Sequence, residues 1–177
     1  MAMIDALLQE LETEAMTTRR VLERVPEAHL GWKPHEKSMS LGQLALHIAT
    51  VPAMVAELSL HTPFQVPQFT QPAATSAAEL VPTLERSIAR ARELLQGLDD
   101  AALASLWTLV DGDQEVMAIP RAAVLRSIML NHWYHHSGQL SVYLRQLNVP
   151  VPSIYGPSAD ENPFAVSRRS AALPAGV

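Results

Sequence analysis

The 177-residue chain is 48% hydrophobic but only 5% aromatic, so its core has to be built from Leu, Ala, Val, Ile and Met, a palette that suits helices. A formal net charge of -5, from 13 basic and 18 acidic residues scattered along the chain, provides no basic stripe and argues against a nucleic-acid partner. The absence of cysteine excludes disulfides, thiolate metal ligands and a Cys nucleophile. Asp5 lies where a secretory signal would carry positive charge, and no uninterrupted apolar run reaches about 18 residues, so the expected location is cytoplasmic, with no membrane partner.

In chain order, Ile4, Leu7, Leu8, Leu11, Ala15, Leu22 and Val25 recur at spacings of three and four and predict an amphipathic helix that stops near Pro26. Gly31, Pro34 and charged residues then mark a connection up to Ser38. Ser40-Leu41-Gly42-Gln43 has capping-box spacing and opens a second helix, whose inward face reads Leu44, Ile48, Val51, Val55 and Leu58 and which Pro52 kinks. Residues 61–75, with Pro63, Pro67 and Pro72, read as a long ordered loop. Ser76-Ala77-Ala78-Glu79 repeats the capping box ahead of a third helix carrying Leu80, Leu84, Ile88, Ala91, Leu95 and Leu98.

Two short apolar runs between Leu106 and Ile119 flank Asp111-Gly112-Asp113 and predict a small hairpin or extended excursion. Pro120 suits the first turn of a fourth and longest helix lined by Leu125, Ile128, Met129, His132, His136, Leu140, Tyr143 and Leu147. Pro150 and Pro152 end it, and an irregular tail follows. The expected fold is therefore an all-α four-helix bundle over residues 1–165, read as a single domain, with 166–177 expected to be disordered.

His132 and His136 stand four residues apart and share a helix face, so both imidazoles can reach one ion. His47, on the apolar side of the second helix, is the third candidate ligand. Periodicity alone leaves two readings open, since buried histidines also serve as hydrogen-bonded core residues. His135 is turned about 100° away from His136, and His29, His35 and His61 fall in connecting segments, so none of them reads as a ligand.

The runs Leu41-Gly42-Gln43-Leu44 leading to His47, Asn131-His132-Trp133-Tyr134-His135-His136-Ser137-Gly138-Gln139-Leu140, and Val142-Tyr143-Leu144-Arg145 resemble the DinB/YfiT-like metalloprotein superfamily. The segment from Val149 to Glu161 is similar to the C-terminal motif of many DinB members. The resemblance implies a four-helix bundle, often a homodimer, with a site for zinc, nickel or a similar divalent ion, iron and manganese included. His47, His132 and His136 match the ligand positions. It further implies that relatives include thiol-dependent transferases and isomerases, in which the metal holds the thiolate of a low-molecular-weight thiol. Ser137 departs from the commoner pattern, in which many members carry arginine, and removes any anion-binding role of that arginine here.

Glu57, Asp111, Asp113, Asp160 and Glu161 are the acid or base candidates, and the sequence singles out none of them as catalytic. Arg121, Arg126 and Arg145 could bind an anion but read better as exposed or interface arginines, and Tyr143 as core. Gly138 leaves room for a second backbone, as in a homodimer. Three functional readings follow: a metal-dependent enzyme acting on a small molecule through a small thiol, a non-catalytic metal-stapled helical dimer with a stress-related role, and a metal-free helical dimer with core histidines.

Overall fold

The computed structural model describes residues 2–68 and 70–165, so the tail 166–177 lies outside the described residues. Three of the expected helices are α1 (Met3–Leu22), α2 (Leu41–Ser59) and α3 (Leu80–Leu95). The fourth is a continuous helical rod made of α5 (Arg121–Val124), a π-helical segment (Leu125–Asn131) and α6 (His132–Gln146). α1 packs on α3 and α6, and α2 packs on α3, the π-helical segment and α6. A short helix that the sequence did not signal, α4 (Asp100–Ala104), is capped by Asp99, whose carboxylate accepts from the N–H of Ala102 at 2.7 Å.

The all-α expectation needs one correction. β2 (Leu106–Asp111) and β3 (Gln114–Pro120) form the anticipated antiparallel hairpin, and β1 (Phe64–Gln65), from the segment read as loop, adds a parallel strand at the edge of β2. The chain is therefore helix-rich with a three-stranded sheet in the order β1-β2-β3. Gly112 takes φ +58° in the hairpin turn, a conformation that a side chain disfavours. A two-residue strand carries no readable alternation, which is why β1 left no trace in the sequence pattern.

α2 is the central core helix. It is long and apolar enough to cross a membrane by length and composition, yet 56% of that stretch is buried inside the protein, as in a core helix. Both capping boxes form as the sequence predicts: Ser40 Oγ accepts from Gln43 N–H at 3.2 Å, and Gln43 Oε1 accepts from Ser40 N–H at 2.9 Å. Gly42 lets the preceding connection approach closely, because a Cβ there would sit 3.1 Å from the Leu30 carbonyl oxygen.

Pro52 has no N–H to give to the Ile48 carbonyl one turn earlier. The fully buried indole of Trp133 donates to that carbonyl instead, at 2.9 Å. The N–H of Ala53 donates to Ser87 Oγ at 2.9 Å, and Ser87 Oγ donates to the Thr50 carbonyl at 3.3 Å. The interruption in α2 is thus tied to α6 through Trp133 and to α3 through Ser87. Ile48 and Trp133 directly follow His47 and His132 in the chain, so this bond fixes the two helices in register at the level of those histidines.

Candidate metal centre

The geometry brings together the three histidines singled out from the sequence. Their candidate ligand atoms all lie within 4.8 Å of one another. His47 Nε2 and His132 Nε2 are 2.9 Å apart, and the three rings stand nearly perpendicular, with centroids 4.3 to 5.1 Å apart. α2 supplies His47, and the first and second turns of α6 supply the other two, immediately after the π-helical segment ends. Segments of π-helix are frequent at functional sites, and this one resets the helix face just before the first ligand candidate.

Electrostatics keeps the imidazoles neutral. Burial pushes His47 down to about 4, with the neighbouring His136 and His132 lowering it further. His132 and His136 are likewise lowered, in both cases chiefly by burial. A neutral imidazole offers a lone pair to a metal at neutral pH, so the donor set fits a borderline divalent cation.

Gln139, one turn after His136, is a functional residue that the sequence reading quoted without giving it a role. Its Oε1 lies 2.7 Å from His136 Nδ1. An amide oxygen can only accept, so Nδ1 carries the proton and the lone pair of Nε2 is left free for a metal. The i, i+3 spacing on one helix was the available signal.

The three histidines line a cavity of about 700 Å³. Its walls come from α2 (Met54, Val55, Leu58), the 61–75 connection (Phe64, Val66) and β2 (Trp107, Leu109). Gln43 steadies that connection by donating from Nε2 to the Gln71 carbonyl at 2.9 Å. That this connection walls a cavity is not legible in its pattern, because its prolines hide any periodicity.

The other candidates separate cleanly. Of the five carboxylates only Glu57 lines the cavity, and it lies ten residues from His47 on the same helix, about 15 Å along the axis. It accepts from Arg90 at 3.0 Å and stands 3.8 Å from the exposed His61, which also lines the cavity. Asp111 and Asp113 are exposed at the hairpin turn. Asp160 pairs with Arg145 at 2.5 Å and accepts from Val151 N–H, while Glu161 pairs with Arg20 at 2.5 Å and accepts from Ser153 N–H, so both shape the C-terminal segment.

Arg126 makes a two-pronged pair with Glu10 at 2.6 Å, and Arg121 donates to the carbonyls of Ser59 and Ala102. Neither they nor Arg145 line the cavity. Tyr143 donates to the Met39 carbonyl at 3.2 Å and meets Trp32 edge-on, which is a packing role. His135, His29 and His35 are exposed. Ser137 is buried against α1 rather than facing the cavity, with its Oγ 3.4 Å from Thr18 Oγ1.

A family model described as the DinB family matches residues 1–164. The chain belongs to the DinB family. The uncharacterized protein YrdA of Bacillus subtilis (strain 168) is 28% identical over 163 residues, covering 89% of this chain and 91% of YrdA. Among solved structures, a DinB-like protein from Bacillus cereus ATCC 10987 aligns with a TM-score of 0.66 and 25% identity, over 85% of this chain and 97% of that one. The mycothiol-dependent maleylpyruvate isomerase aligns with a TM-score of 0.54 and 15% identity, over 84% of this DinB chain but only 62% of the isomerase, and so shares the fold.

Proposed function

We propose that this DinB-family protein is a metal-dependent enzyme in which His47, His132 and His136 hold one divalent ion, zinc or nickel, in a substrate cavity. The observation that carries the reading is the convergence of three neutral imidazoles on a cavity of about 700 Å³, within the size range of small-molecule sites. Three protein ligands leave a coordination position open, as catalytic sites do, whereas a purely structural site is closed by a fourth. The bundle arrangement that the family resemblance implies puts the ligand-bearing helices face to face.

When bound, such an ion supplies Lewis acidity and lowers the pKa of a water or thiol. The protein's own part is to orient the ligand side chains and to hold them neutral. Gln139 fixes the His136 tautomer, Trp133 locks α6 against α2, and burial keeps the imidazoles deprotonated. Likeness in fold to a mycothiol-dependent isomerase makes thiol-dependent transfer or isomerisation the reaction class to test first. Homodimerisation belongs to the same proposal, supported by open space at Gly138 and an exposed Val142 one turn further on. A cytoplasmic location also belongs to it.

The test is elemental analysis of tag-free protein beside a variant carrying His132→Ala and His136→Ala. About one divalent ion per chain, lost in the variant, is the expected result. Metal-loaded protein is then expected to consume a low-molecular-weight thiol in the presence of an electrophile. A wild type that neither carries nor takes up an ion at neutral pH overturns the reading.

A further inference from the structure

The cavity's walls define what it takes. One stripe of α2, at His47, Met54 and Leu58, lines it, with spacings of seven and four, and His61 continues the lining just past the helix end. From His47 to Leu58 that stripe runs about 16 Å along the helix axis, so a ligand engaging the histidines also lies along apolar wall. Two of the apolar side chains lining the cavity are left open to solvent, Met54 at 44% and Val66 at 40% exposure. Uncovered apolar side chains around a concave site mark a binding surface for apolar matter.

Apart from the histidines and Glu57, the polar groups in the wall are neutral amides and a hydroxyl, from Gln68, Gln71 and Thr70. Among the described residues no lysine or arginine lines the cavity, and the carboxylate that does, Glu57, is paired with Arg90, so the wall offers an anionic tail no cation of its own.

Resting on the metal-enzyme reading above, we infer that the substrate is an elongated molecule that brings one metal-binding group to the histidines and lays an uncharged, largely apolar body along Met54, Leu58 and Phe64.

Zinc-loaded protein titrated with a series of alkyl hydroxamic acids, from acetohydroxamic to decanohydroxamic acid, tests this by calorimetry. The head group reports on the metal and the tail on the wall. Each added methylene is expected to tighten binding about threefold to fourfold until the wall is covered. A tail ending in a carboxylate is expected to lose most of that gain, and Met54→Glu, a change at an exposed position, is expected to flatten the series. Acetohydroxamate binding with no dependence on tail length overturns the inference and leaves the metal reading standing. If the protein holds no zinc, the metal reading fails by itself, and butanol against decanol as thermal stabilisers of the metal-free protein still reads the wall. Equal shifts from the two alcohols overturn the inference there as well.

Discussion

The bond from the Trp133 indole to the carbonyl that Pro52 leaves free can be tested by a double-mutant cycle. In Trp133→Phe the Ile48 carbonyl keeps its place deep between α2 and α6 but loses its donor, since Pro52 cannot supply one. Orphaning a buried carbonyl costs about 1–3 kcal/mol. Removing part of the indole from a fully buried site adds a packing cost of about 1–2 kcal/mol. The single change is therefore expected to destabilise by about 2–5 kcal/mol.

Pro52→Ala restores an N–H that can reach the same carbonyl. Trp133→Phe made on that background then leaves no orphan, while the packing cost is the same in both backgrounds and cancels. The expected coupling is about 1–3 kcal/mol, with the indole mattering less once residue 52 can donate. For a chain of this size, roughly 2–4 °C of melting temperature accompanies each kcal/mol, so thermal unfolding of the four proteins followed by circular dichroism resolves the difference. Urea unfolding of the same set supplies the free energies. Additivity within about 0.5 kcal/mol refutes the argument and reduces Trp133 to an ordinary core residue.

Gln139→Leu removes the acceptor from His136 Nδ1 while keeping the side-chain bulk, and is expected to weaken zinc binding about tenfold or more with little change in melting temperature, as read by chelator competition. Unchanged affinity shows that the tautomer is not set by Gln139. Glu14 is 3% exposed, and its carboxyl is raised above the ordinary 4.5 chiefly by burial, which outweighs the hydrogen bonds from Tyr155 and Thr18. A folded-state value above the unfolded one means that this group costs stability as pH rises through its folded value, and contributes no pH dependence well below 4.5. The melting temperature of Glu14→Gln relative to wild type is thus expected to increase between pH 4 and pH 8, and a constant offset across that range contradicts the assignment.

Much of this architecture is legible in local pattern. The helix starts at Ser40 and Ser76, the hairpin around Gly112 and the shared face of His132 and His136 each follow from contacts within a few residues. His47 is legible as a candidate partner of His132 and His136, though not in its distance from them. Its place on an apolar face marked it as inward, and only the packing of α2 on α6 brings it 2.9 Å from His132. Hidden from the pattern were the features made by distant segments meeting: β1 on the edge of β2, the cavity wall from residues 61–75, and the separation of Glu57 from the other four carboxylates. The π-helical segment was hidden for a different reason, because its apolar positions also satisfy an ordinary α-helical period and reveal nothing until the backbone bonds are drawn.

Pro52 joins these levels. In the sequence it reads as a defect in an otherwise regular helix, worth a few kcal/mol against helix formation (~3 kcal/mol). In the folded chain it leaves polar positions on α2 that Trp133 and Ser87 fill from two other helices, and the first of these lies one residue beyond both His47 and His132. A continuous helix would satisfy its own backbone and could slide or rotate against α6 with only apolar contacts to resist it. Interrupting α2 one turn after a ligand candidate converts non-directional packing into a directional bond at the height where ring positions matter to a few tenths of an ångström. The local cost of the proline and the precision of the three-histidine cluster are then two aspects of one arrangement, which is why the cycle between residues 52 and 133 reports on the site as much as on the fold.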